Sequence, residues 1–212
     1  MFQILRKRWR NLSLKDIDIS KVTYFDLNNE INIPVNGQIQ LGKDKEALEA
    51  FLNENVKPNT KQFSSIKERI NYLIQNNYYE EEFISKYSFE FIEKLYDYLK
   101  KEDFHFKTFM AAYKFYAQYA LKTDDNAYYL ENFIDRVATN ALYFGDGDEK
   151  LALELADELI HQRYQPATPS FLNAGRKRRG ELVSCFLIQM TDDMNSIGRN
   201  INSALQLSRI EI

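Results

Sequence analysis

Residues 133–175 read FIDRVATNALYFGDGDEKLALELADELIHQRYQPATPSFLNAG, and the periodicity inside this stretch decides the fold class. Phe133, Val137, Ala141 and Phe144 recur at the three- and four-residue spacing of one helix face. Leu151, Leu155, Leu159 and Ile160 repeat the pattern beyond the acidic turn Gly145-Asp146-Gly147. After Tyr164 the rhythm stops, because Pro166, Pro169 and Gly175 interrupt a helix and predict an irregular segment.

Upstream the helical rhythm continues. Phe109, Tyr113, Tyr116 and Ala120 form one stripe, and Phe89, Ile92, Leu95, Tyr96 and Leu99 form another with Ser88 as N-cap. Ile66, Ile70, Leu73 and Ile74 follow Ser64 or Ser65 as cap, and Leu48, Phe51 and Leu52 share a helix that begins near Asp44. Core packing alone accounts for these stripes, so residues 21–163 read as an all-α domain. Across residues 22–42, Pro34 and the Asn36-Gly37 turn signal predict an extended arm with a short hairpin. The first twenty residues, with Arg6, Lys7, Arg8 and Arg10, read as a frayed, solvated basic tail in preference to a membrane or nucleic-acid contact.

Downstream, residues 176–180 make a basic turn, and ELVSCFLIQM at 181–190 reads as a buried strand. Thr191-Asp192-Asp193 offers N-cap chemistry to a last helix that would bury Ile197, Ile201, Leu205 and Ile210. A strand and a helix after an all-α domain have no sheet to join. Residues 164–212 therefore read as the opening of a second, truncated domain.

Composition excludes several function classes. Hydrophobic residues at 44% and charged residues at 28% fit a soluble chain with a packed core. The 14 Tyr and 15 Phe set against 7 Gly and 4 Pro favour long helices with aromatic contacts over a loop-rich fold. A net charge of −3 gives no pull toward nucleic acid or anionic lipid. No apolar run reaches the roughly 18 residues of a membrane span. One cysteine excludes an internal disulfide framework and makes the cytoplasm the expected compartment.

Two patterns could carry metal chemistry. Glu102 precedes His105, and Glu158 precedes His161, each at the Glu-x-x-His spacing of a carboxylate-bridged di-iron bundle. Such a site would also need bridging carboxylates, for which Glu93 and Glu131 are candidates. The alternative is exposed charge beside half-buried histidines. One Cys and two His do not make a structural zinc set. No glycine loop is built to cradle phosphate. On sequence alone Cys185, in an apolar run with no nearby His, reads as an inert core thiol.

The stretch HQRYQPATPSFLNAGRKRRGELVSCFLIQMTDDMNSIGRNINSALQLSR, residues 161–209, closely resembles the start of the ten-stranded barrel in ribonucleotide reductase large subunits. The upstream run from FMAAYKFYAQYALKT at 109–123 through the quoted helices resembles the helical domain that precedes that barrel. SLKDI at 13–17, TYFDLNNEIN at 23–32, PVNGQI at 34–39 and KDKEAL at 43–48 resemble the class Ib branch in particular. The resemblance implies a mainly α fold: the large subunit's N-terminal helical domain, then the first strand and helix of a truncated α/β barrel.

By the same resemblance, Thr168 matches a position that contacts the substrate diphosphate, and Ser184 and Cys185 match the next substrate contacts. Cys185 corresponds to one of two redox cysteines that reduce the ribose and become a disulfide. Asp192, Asp193 and Met194 match the start of the deoxynucleotide effector site. The chain itself is expected to bind no cofactor, the family's metal lying in a separate small subunit. The implied partners are a nucleotide substrate, a deoxynucleotide effector, the reductase small subunit and a complementary large-subunit fragment. The chain departs from the family after residues 203–210, where Glu211-Ile212 replaces a glycine-rich continuation. The radical cysteine, its Asn and Glu helpers, the second redox cysteine and the C-terminal cysteine pair are not in this sequence. An enzyme fragment inactive alone is thus the first expectation. A non-catalytic module that binds an intact reductase subunit or a nucleotide is the second, and a di-iron bundle the third.

Overall fold

The computed structural model describes residues 23–31, 33–39, 42–183 and 185–209. The expected tail at residues 1–20 lies outside the described residues, as do Ser184 and Ile210. In chain order the helices are α1 (Tyr24–Glu30), α2 (Gly42–Phe51), α3 (Ile66–Gln75), α4 (Glu81–Ser85) and α5 (Phe89–Lys101). Then come α6 (Phe109–Lys114), α7 (Phe133–Gly145), α8 (Glu149–Ile160), α9 (Thr168–Asn173) and α10 (Met194–Leu207). The described residues form no strand, only isolated antiparallel bridges, so the mainly α expectation stands. They fall into two units, one built from residues up to 60 with 105–118, the other from 61–104 with 119 onward.

In the first unit, α1 replaces the extended arm expected over residues 22–42. Seven residues are too few to show a helical period, and the helix is held by Leu27, which is buried, and by packing on α2. The Asn36-Gly37 signal is realised. Both residues take positive φ, 52° and 77°, and Val35 and Gln38 exchange two backbone hydrogen bonds of 3.0 Å. That is the primed turn which twists with a hairpin. Phe51 is the unit's aromatic centre, edge-on to Tyr24, Phe109 and Tyr113 with ring centroids 5.1, 5.7 and 5.8 Å away. Both α2 and α6 run on into π-helical turns, Leu52–Val56 and Phe115–Tyr119.

The second unit is built on the stripes read from the sequence. Ile70, Leu73, Ile92, Leu95, Leu99, Val137 and Ala141 are each 1% exposed or less. Each of the larger of these side chains contributes about 1.5–3 kcal/mol by leaving water. Ser65 and Ser88 cap α3 and α5 as expected, accepting from the backbone N–H groups of Glu68 and Phe91 at 3.1 Å. Helix α7 opens with a capping box between Asn132 and Asp135 and is buried on nearly every face, which makes it the central helix.

Two stripe positions need correction. Phe144 and Leu151 are exposed, and α8 instead turns Ala152 and Ala156 inward. Helix backbones draw together where side chains are small. A Cβ on Gly145 would lie 2.6 Å from the Tyr87 hydroxyl and 2.9 Å from the Ala152 Cβ.

The end of the chain also departs from expectation. Residues 181–190 form no buried strand among the described residues, and Val183, Phe186, Leu187, Ile188 and Met190 are exposed. An extended segment becomes a strand only when a neighbour pairs its N–H and C=O groups. Helix α10 forms where predicted, but Ile201 and Leu205 face solvent and Ile197 is only partly covered. Ser196 is its buried residue. The described residues thus show the helical part of the expected fold and no part of a barrel sheet.

Candidate functional site

The expected substrate contacts begin at α9, inside the segment read as irregular. Ala167 precedes the helix in extended conformation, and Pro169 lies in its first turn, where a fixed φ and a missing N–H cost nothing. Phe171 and Asn173 are buried, whereas Thr168 at the head of the helix is exposed. The chain then turns at Gly175, with φ at 73°. A Cβ there would meet Phe83 and Thr139, each at 2.8 Å, so both the turn and the close approach require glycine.

Helix α9 is held by polar side chains from α7. Asn140 Nδ2 donates to the Phe171 carbonyl at 3.2 Å, and Arg136 donates to the carbonyls of Leu172, at 3.5 Å, and Ala174. These side chains satisfy carbonyls that a six-residue helix leaves without intrahelical donors. Arg136 is fully buried and paired with Glu131 at 3.2 Å. Glu131 also accepts from Arg176 at 2.7 Å, from the Tyr79 hydroxyl at 2.6 Å and from the Leu121 N–H at 3.0 Å. Burial would push the Glu131 carboxyl up, but Arg136, Arg176, the Tyr79 hydroxyl and Arg69 outweigh it and hold it at about 2. Asp135 behaves oppositely: burial lifts its carboxyl above the ordinary value despite its 2.8 Å pair with Arg69.

From α9 two side chains reach forward along the chain. Ser170 Oγ donates to the Leu182 carbonyl and Asn173 Nδ2 to the Glu181 carbonyl, both at 2.9 Å. The helix that begins with Thr168 therefore fixes the chain just before residues 184 and 185. Ser184 itself lies outside the described residues, and Cys185 is exposed rather than an inert core thiol.

The effector candidates sit at the head of α10. Asp193 is its N-cap, accepting from the Ser196 N–H at 2.8 Å and from the Thr191 hydroxyl at 2.6 Å. The Thr191 bond, then the Ser196 bond, lower its carboxyl below the usual range. Asp192 and Met194 are exposed beside it. Asn200 links α10 to the Gln189 carbonyl at 3.2 Å.

Other sequence candidates have structural roles. His161 meets Glu102 at 3.0 Å and Asp157 at 3.1 Å, while Glu158 pairs with Arg163 at 3.1 Å. Glu102 of one Glu-x-x-His pair thus meets His161 of the other as an ion pair, and His105 is exposed. Glu93 is exposed, and Glu131 is committed to arginines. Among the described residues no group of three His, Cys, Asp or Glu side chains is placed to hold a metal ion. The basic turn is a set of ion pairs, Arg178 with Asp124 at 3.0 Å and Arg179 with Glu80 at 3.1 Å. No described helix is long and apolar enough to cross a membrane.

Sequence reasoning missed the roles of Arg136, Asn140, Arg176 and Tyr119, and offered Glu131 only as a metal bridge. The signal for the first two was present: Arg136 and Asn140 lie one turn apart beside Val137 and Ala141, polar groups at the edge of an apolar stripe.

Comparison with known proteins agrees with this architecture. Residues 24–104 match the family model "Ribonucleotide reductase N-terminal" and residues 105–179 match "Ribonucleotide reductase, all-alpha domain". A ribonucleoside-diphosphate reductase subunit alpha from Bacillus subtilis is 48% identical over 187 residues, 88% of this chain and 27% of the relative. The NrdEB subunit alpha of the same organism is 50% identical over 187 residues, 17% of its length. The subunit alpha from Mycoplasma genitalium is 51% identical over 166 residues, 78% of this chain and 23% of the relative. The chain thus spans about a quarter or less of the length of these relatives. With both N-terminal models matched in succession and about half of the aligned residues identical, the chain belongs to the ribonucleotide reductase large-subunit family and carries its N-terminal and all-helical regions.

Proposed function

We propose that this chain supplies the N-terminal part of a class Ib ribonucleoside-diphosphate reductase large subunit, with Thr168, Ser184 and Cys185 at the substrate. The observation that carries this reading is the pair of 2.9 Å bonds from Ser170 and Asn173 to the carbonyls of residues 182 and 181. They join the helix headed by Thr168 to the segment that leads into Cys185, and both side chains are exposed to a ligand. In the reaction, the ribose 2′-hydroxyl leaves as water while two thiols give up two electrons and become a disulfide. Cys185 is one of those thiols. With one cysteine in the chain, the second comes from the rest of the reductase.

At the effector site, Asp193 is occupied in capping α10, which makes Asp192 the carboxylate that accepts from a deoxyribose hydroxyl. The exposed head of α10, at the positive end of the helix dipole, suits the effector phosphates. The metal that starts the radical chemistry belongs to the small subunit, and this chain serves the ribose.

The test compares the chain alone with a reductase completed by the remaining large-subunit polypeptide and a small subunit. Alone, the chain forms no deoxynucleotide from a ribonucleoside diphosphate. In the completed enzyme Cys185→Ser abolishes turnover and leaves substrate binding near normal, since a chemical step is lost rather than ground-state affinity. Near-normal turnover by the serine variant would refute the assignment.

A further inference from the structure

The Tyr119 hydroxyl lies 3.1 Å from the Thr168 Oγ1, and the geometry allows either oxygen to be the donor. Tyr119 is anchored at two further points. Its ring meets Phe171 of α9 edge-on at 5.7 Å, and its carbonyl accepts from Nη2 of Arg176, the same nitrogen that pairs with Glu131. The phenol is therefore fixed against α9 by its ring and its backbone, while Thr168 is exposed and Tyr119 half-buried. None of this was legible in the sequence, where Tyr119 lay outside every stripe.

The chemistry of the pair sets a direction. A threonine hydroxyl has one proton to give, and a diphosphate oxygen can only accept. If Thr168 contacts a diphosphate, its proton must go to the phosphate and its oxygen must accept from a neighbour. Tyr119 is that neighbour. We propose that Tyr119 is a positioning residue of the substrate site: its phenol donates to Thr168, selects one rotamer, and turns the threonine proton outward to the diphosphate. The inference rests on reading Thr168 as the diphosphate contact. Without the phenol, Thr168 still carries a proton but must be ordered by the ligand, at the cost of about one neutral hydrogen bond, or roughly three- to tenfold in affinity.

The test titrates the full chain with inorganic pyrophosphate, followed by NMR, for the wild type, Tyr119→Phe, Thr168→Val and the double variant. Amide exchange at Phe171, Ala174 and Arg176 reports whether α9 stays in place. The expected result is binding that Thr168→Val weakens strongly but measurably and Tyr119→Phe weakens about three- to tenfold with exchange unchanged. Tyr119→Phe should also have no further effect on residual binding in the Thr168→Val background, the signature of a residue that acts through its neighbour. Wild-type affinity in Tyr119→Phe, or an equal loss in both backgrounds, would overturn the proposal and leave Thr168 as the diphosphate contact. Binding unaffected by Thr168→Val, or no binding by the wild type, would overturn the Thr168 reading and the proposal with it.

Discussion

Glu131 and Arg176 stand 45 residues apart in sequence and meet as a 2.7 Å ion pair inside the second unit. Arg136 holds the other carboxylate oxygen at 3.2 Å. One buried carboxylate thus organises two guanidinium groups, and those in turn hold the carbonyls of Tyr119, Leu172 and Ala174. Through those carbonyls the interior charge cluster reaches α9, the helix that carries Thr168.

Removing one side of such a cluster leaves uncompensated charge in the interior. Glu131→Ala is expected to destabilise the chain by about 3–5 kcal/mol in urea unfolding. Glu93→Ala, at an exposed position read from sequence as an equal candidate, should change stability by no more than about 0.5 kcal/mol. Equal small losses in the two variants would mean that α9 is held by packing instead.

The same carboxylate sets an acid limit. Its folded value is held at about 2, below the ordinary 4.5, so its contribution is fully present above about pH 4.5 and is lost as pH falls through 2. Asp135 has the opposite sign, because a raised carboxyl favours the folded state at low pH and loses that contribution as pH rises through its folded value. Stability of the wild type minus that of Glu131→Gln should therefore shrink between pH 4.5 and 2, with a smaller change of opposite sign from Asp135, whose carboxyl the Glu131 charge helps to raise. A difference that stays constant across this window would show that Glu131 carries no ionic role.

Val183, Leu187, Ile188, Met190, Ile201 and Leu205 present apolar side chains to water along the segment from residue 183 to α10. Backbone groups and side chains left exposed in this way favour pairing with another chain. Residues 183–190 are expected to exchange amide hydrogens fast while α3, α5, α7 and α8 are protected. The chain should self-associate in sedimentation, and Leu187→Lys with Ile201→Lys should reduce that without loss of thermal stability. Ending the chain after residue 180 should have the same effect, whereas ending it after residue 163 should unfold the second unit, since Phe171, Ala174 and Arg176 are buried there. Slow exchange at 183–190 in a monomeric sample would contradict this.

What the sequence by itself determined is local and periodic. The stripes of α3 and α5, the caps Ser65, Ser88 and Asp193, and the Asn36-Gly37 turn are legible because helix period, capping and positive φ depend on neighbours within a turn or two. The stretch from Gln165 to Cys185 carried the family resemblance in the same way, as residue types at fixed spacing. Tertiary structure alone decided that Arg136 and Asn140 face inward, that Ala152 outranks Leu151 at the α7–α8 contact, and that Tyr119 reaches Thr168. Each of those depends on groups brought together from distant parts of the chain. A buried charge is tolerated only where its counter-charge arrives, a small residue is inward only where another backbone approaches, and an apolar run such as residues 183–190 becomes a strand only beside another strand.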